Sequence, residues 1–176
     1  MSQPDENLAT EQTQDSSPPY LISVSPTPPS LADCTKFVSH PSCGAISTFI
    51  GTTRDTFDGR RVLKLSYEGY EPMAEKVLKE LCQTSRDKFP GVLRIAAVHR
   101  LGDCPVGMES VIIAVSSVHR RDGLDCVAWL IDELKGQVPI WKKEVYEGDE
   151  AAWKENVEWV EGRRRRVMVR DGEDGE

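Results

Sequence analysis

E-S-V-I-I-A-V-S-S, residues Glu109 to Ser117, is the most apolar strand-like run in the chain. Its β-branched residues favour an extended backbone, and so continuous an apolar stretch belongs inside a sheet. It ends at Val118-His119-Arg120-Arg121, after which Asp122 and Asp125 suit the start of a helix. Leu124, Val127, Leu130, Ile131 and Leu134 then recur at helical spacing, predicting a buried stripe on a helix that runs to Lys135. Upstream, Val92 to His99 reads as another strand, joined to the first through a turn containing Pro105 and Gly107.

The same logic extends outward. Pro72 at a first turn opens a helix over Glu71 to Lys88, with Met73, Val77, Leu78 and Leu81 as its apolar positions and Pro90-Gly91 as its stop. Ala45 to Thr53 and Val62 to Glu68 are β-rich and flank a polar loop with Asp58-Gly59, predicting a long hairpin. Tyr20 to Ser25 alternates like a first strand. Ser30 with Asp33 resembles a capping box opening a short helix, Leu31 to Val38. Strands arrive as hairpins interrupted by two main helices, not as regular βα alternation. The expected fold class is therefore α+β with a largely antiparallel sheet.

Length and composition bound the function. A chain of 176 residues holds one domain, read as residues 20–160, between a Ser/Pro-rich tail over 1–19 and a charged tail over 161–176. A net charge of −7 speaks against a general nucleic-acid binder. The five cysteines form no C-x-x-C pair and the three histidines show no ligand spacing, so neither a metal site nor a disulfide framework is signalled. Cys126 falls near a buried helix face, where a thiol is inert packing. No apolar run reaches the ~20 residues of a membrane span. No lysine or arginine precedes Lys36, unlike secretory or mitochondrial leaders. A reduced cytosolic protein is the expectation.

Basic side chains collect at the ends of predicted elements. Arg54 follows a strand, His119 and Arg120 follow the apolar strand, and Lys135 and Lys142 flank a turn within K-G-Q-V-P-I-W-K-K-E, residues 135–144. Gly136 suits a left-handed helix end, and Pro139 cannot continue a helix. The turn then folds Lys135 and Lys142 towards one space. Alternation beyond it places Ile140, Lys142 and Glu144 on one face and Trp141, Lys143 and Val145 on the other. A phosphate or carboxylate pocket fits this pattern, and so do solvated strand ends with a lysine favoured by a helix dipole. A hydrolase built on His119 with Ser117 lacks a G-x-S-x-G elbow, and no G-K-[ST] phosphate loop is present.

Five ordered blocks, G-A-I-S-T-F-I-G-T-T-R-D, L-S-Y-E-G-Y-E-P-M-A-E, V-H-R-L-G, S-S-V-H-R and K-G-Q-V-P-I-W-K-K-E, resemble the catalytic (large) subunit of molybdopterin synthase across Ser23 to Trp159. The resemblance implies an α/β-hammerhead architecture and a sulfurtransferase without a metal or other cofactor. It implies conversion of cyclic pyranopterin monophosphate (precursor Z) into molybdopterin, with sulfur delivered as a C-terminal thiocarboxylate on a small ubiquitin-like subunit. The matched residues are Lys135 and Lys142 as catalytic groups, joined by Arg54, His119 and Arg120 in substrate binding. A homodimer of large subunits inside a heterotetramer is also implied, as are basic residues borrowed across the dimer. The alternative is a non-catalytic protein that holds a pterin phosphate or a ubiquitin-like tail.

Overall fold

The computed structural model describes residues 19–148 and 152–154. The expected tails lie outside the described residues, save Pro19. The elements run β1 (Tyr20–Ser25), α1 (Leu31–Val38), β2 (Ala45–Thr52), β3 (Thr56–Phe57), β4 (Arg60–Gly69), α2 (Glu71–Lys88), β5 (Val92–Arg100), β6 (Gly102–Pro105), β7 (Glu109–Ser117), α3 (Arg120–Gln137), β8 (Ile140–Tyr146) and β9 (Ala152–Lys154). This is an α+β fold, as the sequence predicts.

Two sheets make the body. The first has the order β1-β5-β7-β2, with β1 parallel to β5 and the other pairs antiparallel. On one of its faces, Cys34 and Val38 of α1 pack against Ala96, Ile112 and Ala114. The larger core holds Leu78 and Leu81 of α2 and Leu130 and Leu134 of α3 against Ile95, Ile113 and Val115. Covered on both faces, β7 is buried from Ser110 to Ser117, which explains its unbroken apolar run. Each fully buried Leu or Ile contributes roughly 1.5–3 kcal/mol. The second sheet follows β3-β4-β8-β9, with β6 also paired to β4.

The expected long hairpin does not form. β2 pairs with β7, and β4 pairs with β8 over Val62 to Gly69. Only Thr56 and Phe57 fold back, onto Arg61 and Arg60. Pairing with β2 closes the free edge of the buried β7, while β2 itself, the edge strand, buries only Ser47. The chain therefore crosses from one sheet to the other at Thr53-Arg54.

Helix details also differ from the sequence reading. Met73 and Leu124 are 54% and 55% exposed. The buried stripes instead use Ala74, Leu78, Leu81, Cys82 and Ser85 on α2, and Gly123, Cys126, Val127, Leu130, Ile131 and Leu134 on α3. Ser30 caps α1 as expected, accepting the Asp33 N–H at 3.2 Å. By contrast α3 begins at Arg120 with His119 as its uncapped N-cap, and Asp125 pairs with Arg121 at 2.9 Å. Gly136 lies inside α3, outside the left-handed region. The helix stops because Pro139 holds Val138 extended, at φ −72° and ψ 128°. No helix among the described residues is long and apolar enough to cross a membrane.

Candidate active site

A cavity of about 520 Å³ opens between the two sheets at the C-terminal end of α3. That size suits a small-molecule ligand. Its walls are apolar: Phe49 and Val111 from the first sheet, Leu65 and Ile140 from the second, and Ile131 and Leu134 from α3. Three cations line it, each delivered by a different element. Arg54 comes from the crossover after β2, Lys135 from the last turn of α3, and Lys142 from β8.

The local sequence explains each placement. The Arg54 guanidinium lies 5.6 Å from the centroid of the Phe57 ring, a cation–π distance that ties it to β3. The stop at Val138 turns the chain so that β8 runs back along β4, pairing Tyr67 with Lys142 and Leu65 with Glu144. Residues opposite one another share a face, so Lys142 and Glu144 join Leu65 and Tyr67 on the cavity wall. The predicted alternation holds: Ile140, Lys142 and Glu144 line the cavity while Trp141 is 51% exposed.

Two polar groups of the wall, Glu144 and His99, received no role in the sequence reading, although alternation places Glu144 on the Lys142 face. Glu144 is 3% exposed. Its Oε1 lies 3.5 Å from Lys142 Nζ, and its Oε2 accepts the Tyr146 hydroxyl. The Arg60 guanidinium in turn covers the Tyr146 ring at 3.8 Å from the centroid. Glu144 therefore fixes Lys142 from below. The clue was its position two residues beyond Lys142, on the same strand face.

His99 is the other. Its Nδ1–H donates to the Arg100 carbonyl at 2.7 Å, and its ring meets Tyr67 in a T-shaped contact at 4.9 Å. Burial pushes the imidazole down to about 4, against a weaker upward pull from that hydrogen bond. Burial also raises the Tyr67 hydroxyl, partly offset by its hydrogen bond to Ser110. His99 stands in the V-H-R-L-G block, the one signal the sequence offered.

His119 and Arg120 are not part of the cavity. Both are exposed at the N-terminal end of α3. Lys135 lies fifteen residues further along that helix, roughly 22 Å at ~1.5 Å per residue. Across the sheet, Ser117 pairs with Ala45 while Arg54 follows the opposite end of β2. The chain thus brings Arg54, Lys135 and Lys142 together and leaves His119 and Arg120 apart. Ser117 donates its hydroxyl to the His119 carbonyl at 2.8 Å, so its partner is backbone and no Ser–His dyad forms. The Cys126 thiol is buried and pushed up to about 11, mainly by burial, consistent with inert packing.

The model of the MoaE protein family matches residues 24–137. The chain belongs to the MoaE family. This MoaE protein is 56% identical over 135 residues to the molybdopterin synthase catalytic subunit of Arabidopsis thaliana, covering 77% of this chain and 67% of that one. It is 52% identical over 129 residues to the corresponding subunit of Taeniopygia guttata, covering 73% and 83%. Among solved structures, molybdopterin synthase from Staphylococcus aureus superposes with a TM-score of 0.73 at 34% identity, over 76% of this chain and 96% of that chain. The hammerhead-like α+β architecture of the MoaE protein agrees with that neighbour. The relatives are catalytic subunits of a sulfurtransferase, and this MoaE protein is an enzyme of that class.

Proposed function

We propose that this MoaE protein is the catalytic subunit of a molybdopterin synthase and that the Arg54–Lys135–Lys142 cavity is its active site. There, sulfur passes from the C-terminal thiocarboxylate of a small ubiquitin-like subunit to cyclic pyranopterin monophosphate, and two such transfers make the molybdopterin dithiolene. The observation that carries this reading is the convergence of three cations from three elements on one 520 Å³ cavity, in a chain of net charge −7. A phosphate-bearing substrate and an anionic tail need such fixed positive charge.

The chemistry follows from the placement. The thiocarboxylate sulfur forms a bond to an oxygen-bearing substrate carbon as that carbon's C–O bond breaks and the oxygen leaves with its electron pair, giving a thioester between carrier and substrate. Water then adds to the acyl carbon and the C–S bond of the carrier breaks, leaving sulfur on the substrate and a carboxylate on the carrier. Negative charge builds on the acyl oxygen during that step, and the Lys135 ammonium stabilises it. Lys142, fixed by Glu144, holds the substrate and is placed to move a proton. Arg54 contributes the phosphate contact.

His119 and Arg120 are substrate-binding residues only if a second copy supplies them. Exposed Ile46 and Ile50 on the edge strand β2, with Val118 beside His119, offer an apolar surface for that homodimer. Each dimer would carry a small subunit at either end, in the cytosol.

Reconstitution tests the reading. Purified protein, cyclic pyranopterin monophosphate and a thiocarboxylated small subunit should yield molybdopterin, and Lys135→Ala should abolish the product while retaining the fold. A stable complex with the small subunit that forms no product would favour a non-catalytic binding protein.

A further inference from the structure

Positive charge accounts for one end of a ligand in this cavity and says nothing about the other. Arg54 is exposed and Lys142 keeps about a third of its side chain in solvent, whereas His99 and Tyr67 are buried at 5% and 9%. The cations therefore mark the mouth and His99 marks the interior, between the apolar walls of Phe49, Leu65 and Ile131.

The tautomer of His99 follows from its one backbone contact. A carbonyl oxygen only accepts, so Nδ1 carries the proton donated to Arg100. Nε2 is then left with its lone pair, as the acceptor of a ring that lines the cavity. The edge-to-face contact with Tyr67 holds the imidazole in orientation. We infer that His99 is a specificity-determining residue, whose Nε2 accepts a hydrogen bond from a ring N–H or amino group of a flat heterocycle while the cations at the mouth hold its phosphate. Burial keeps the imidazole uncharged at neutral pH, so it presents an acceptor there and adds no fourth cation. The other buried acceptor, Glu144, is already engaged by Lys142 and Tyr146.

This inference rests on the proposed function, which supplies a ligand of the required kind: a reduced pterin carries several N–H donors on a flat ring. A phosphate without such a ring gains nothing from His99.

Two probes separate the contributions: cyclic pyranopterin monophosphate, and glycerol cyclic phosphate, which carries the anion without the ring. Binding is measured by NMR titration of the full chain. His99→Phe retains the ring and its packing without the acceptor, and His99→Gln restores an acceptor near Nε2. His99→Phe should bind the pterin phosphate about tenfold more weakly and glycerol cyclic phosphate unchanged. His99→Gln should recover most of the loss. Equal pterin binding by His99→Phe and wild type would overturn the inference, and so would a parallel loss for both probes, which marks a structural defect. A wild-type chain that binds glycerol cyclic phosphate and not the pterin would overturn the ring-reading role while the anion site stands. Binding of neither probe would sink the proposed function together with it.

Discussion

Glu144 is an acid set into the wall of a basic cavity, and its two oxygens serve different neighbours. One faces the Lys142 ammonium and the other takes the Tyr146 hydroxyl. Glu144→Gln retains an acceptor for Tyr146 and removes the charge that fixes Lys142. Turnover should fall about tenfold to a hundredfold through misplacement of the lysine, while stability drops only about 1 kcal/mol. Activity assays beside urea unfolding separate the two effects. His99 provides a second test through pH. The ordinary imidazole pKa of 6.5 falls to about 4 in the fold, so the unfolded chain takes up its proton first as pH falls. Stability from this residue is complete above pH 6.5 and is lost as pH drops towards 4, by about 3 kcal/mol. Unfolding midpoints at pH 7 and 4.5 should differ less in His99→Gln than in wild type. At this scale the sequence revealed Arg54, Lys135 and Lys142 because each ends an element in a matched block. It did not reveal His99 or Glu144, whose roles depend on partners 32 residues away, as with Tyr67, or on the depth of burial.

At the scale of elements, α3 does most to place the site, and its end was the part read least well. Gly136 has the composition of a helix terminator yet sits in the last turn with helical geometry, and a Cβ built there meets nothing within 4 Å. Gly136→Ala should therefore stabilise the protein by about 0.5–1 kcal/mol, since alanine loses less backbone entropy on folding. Thermal unfolding checks this, and a destabilised variant would restore the left-handed reading. The other end of α3 shows the opposite case. A Cβ on Gly123 would lie 2.6 Å from Ser117 Oγ and 2.9 Å from Ser47 Oγ, so glycine there lets the helix lie flush on β2 and β7. Strand boundaries were legible because β-branched runs and turn residues mark them locally. Strand partners were not, because β2 pairs along the edge of β7, a strand some sixty residues away whose burial depends on the assembled layers, and not with its neighbour β4.

For the whole molecule, the separation of His119 and Arg120 from the cavity becomes a statement about assembly. If each active site draws Lys135 from one chain and Arg120 from the other, two inactive variants should complement one another. Mixing Lys135→Ala with Arg120→Ala at equal amounts and reassembling them leaves one intact site in each mixed dimer, about a quarter of all sites. Activity near that level supports sharing across the dimer. None at all places Arg120 in the function of its own chain's site, and an Arg120→Ala protein active by itself places Arg120 outside the site.

The chain order of the cavity walls has a consequence for synthesis. Phe49, Arg54, Tyr67 and His99 all precede the last contributors, Lys135, Lys142 and Glu144, which stand near the end of the described residues. A nascent chain therefore holds the Phe49, Leu65 and Val111 walls before it holds two of the three cations, which arrive together with Ile131, Leu134 and Ile140. Until β8 has emerged and laid itself along β4, the ribosome carries a half-built receptacle with little hold on an anion. A chain cut before β8 would keep the Phe49, Leu65 and Val111 walls and lack Lys142 and Glu144.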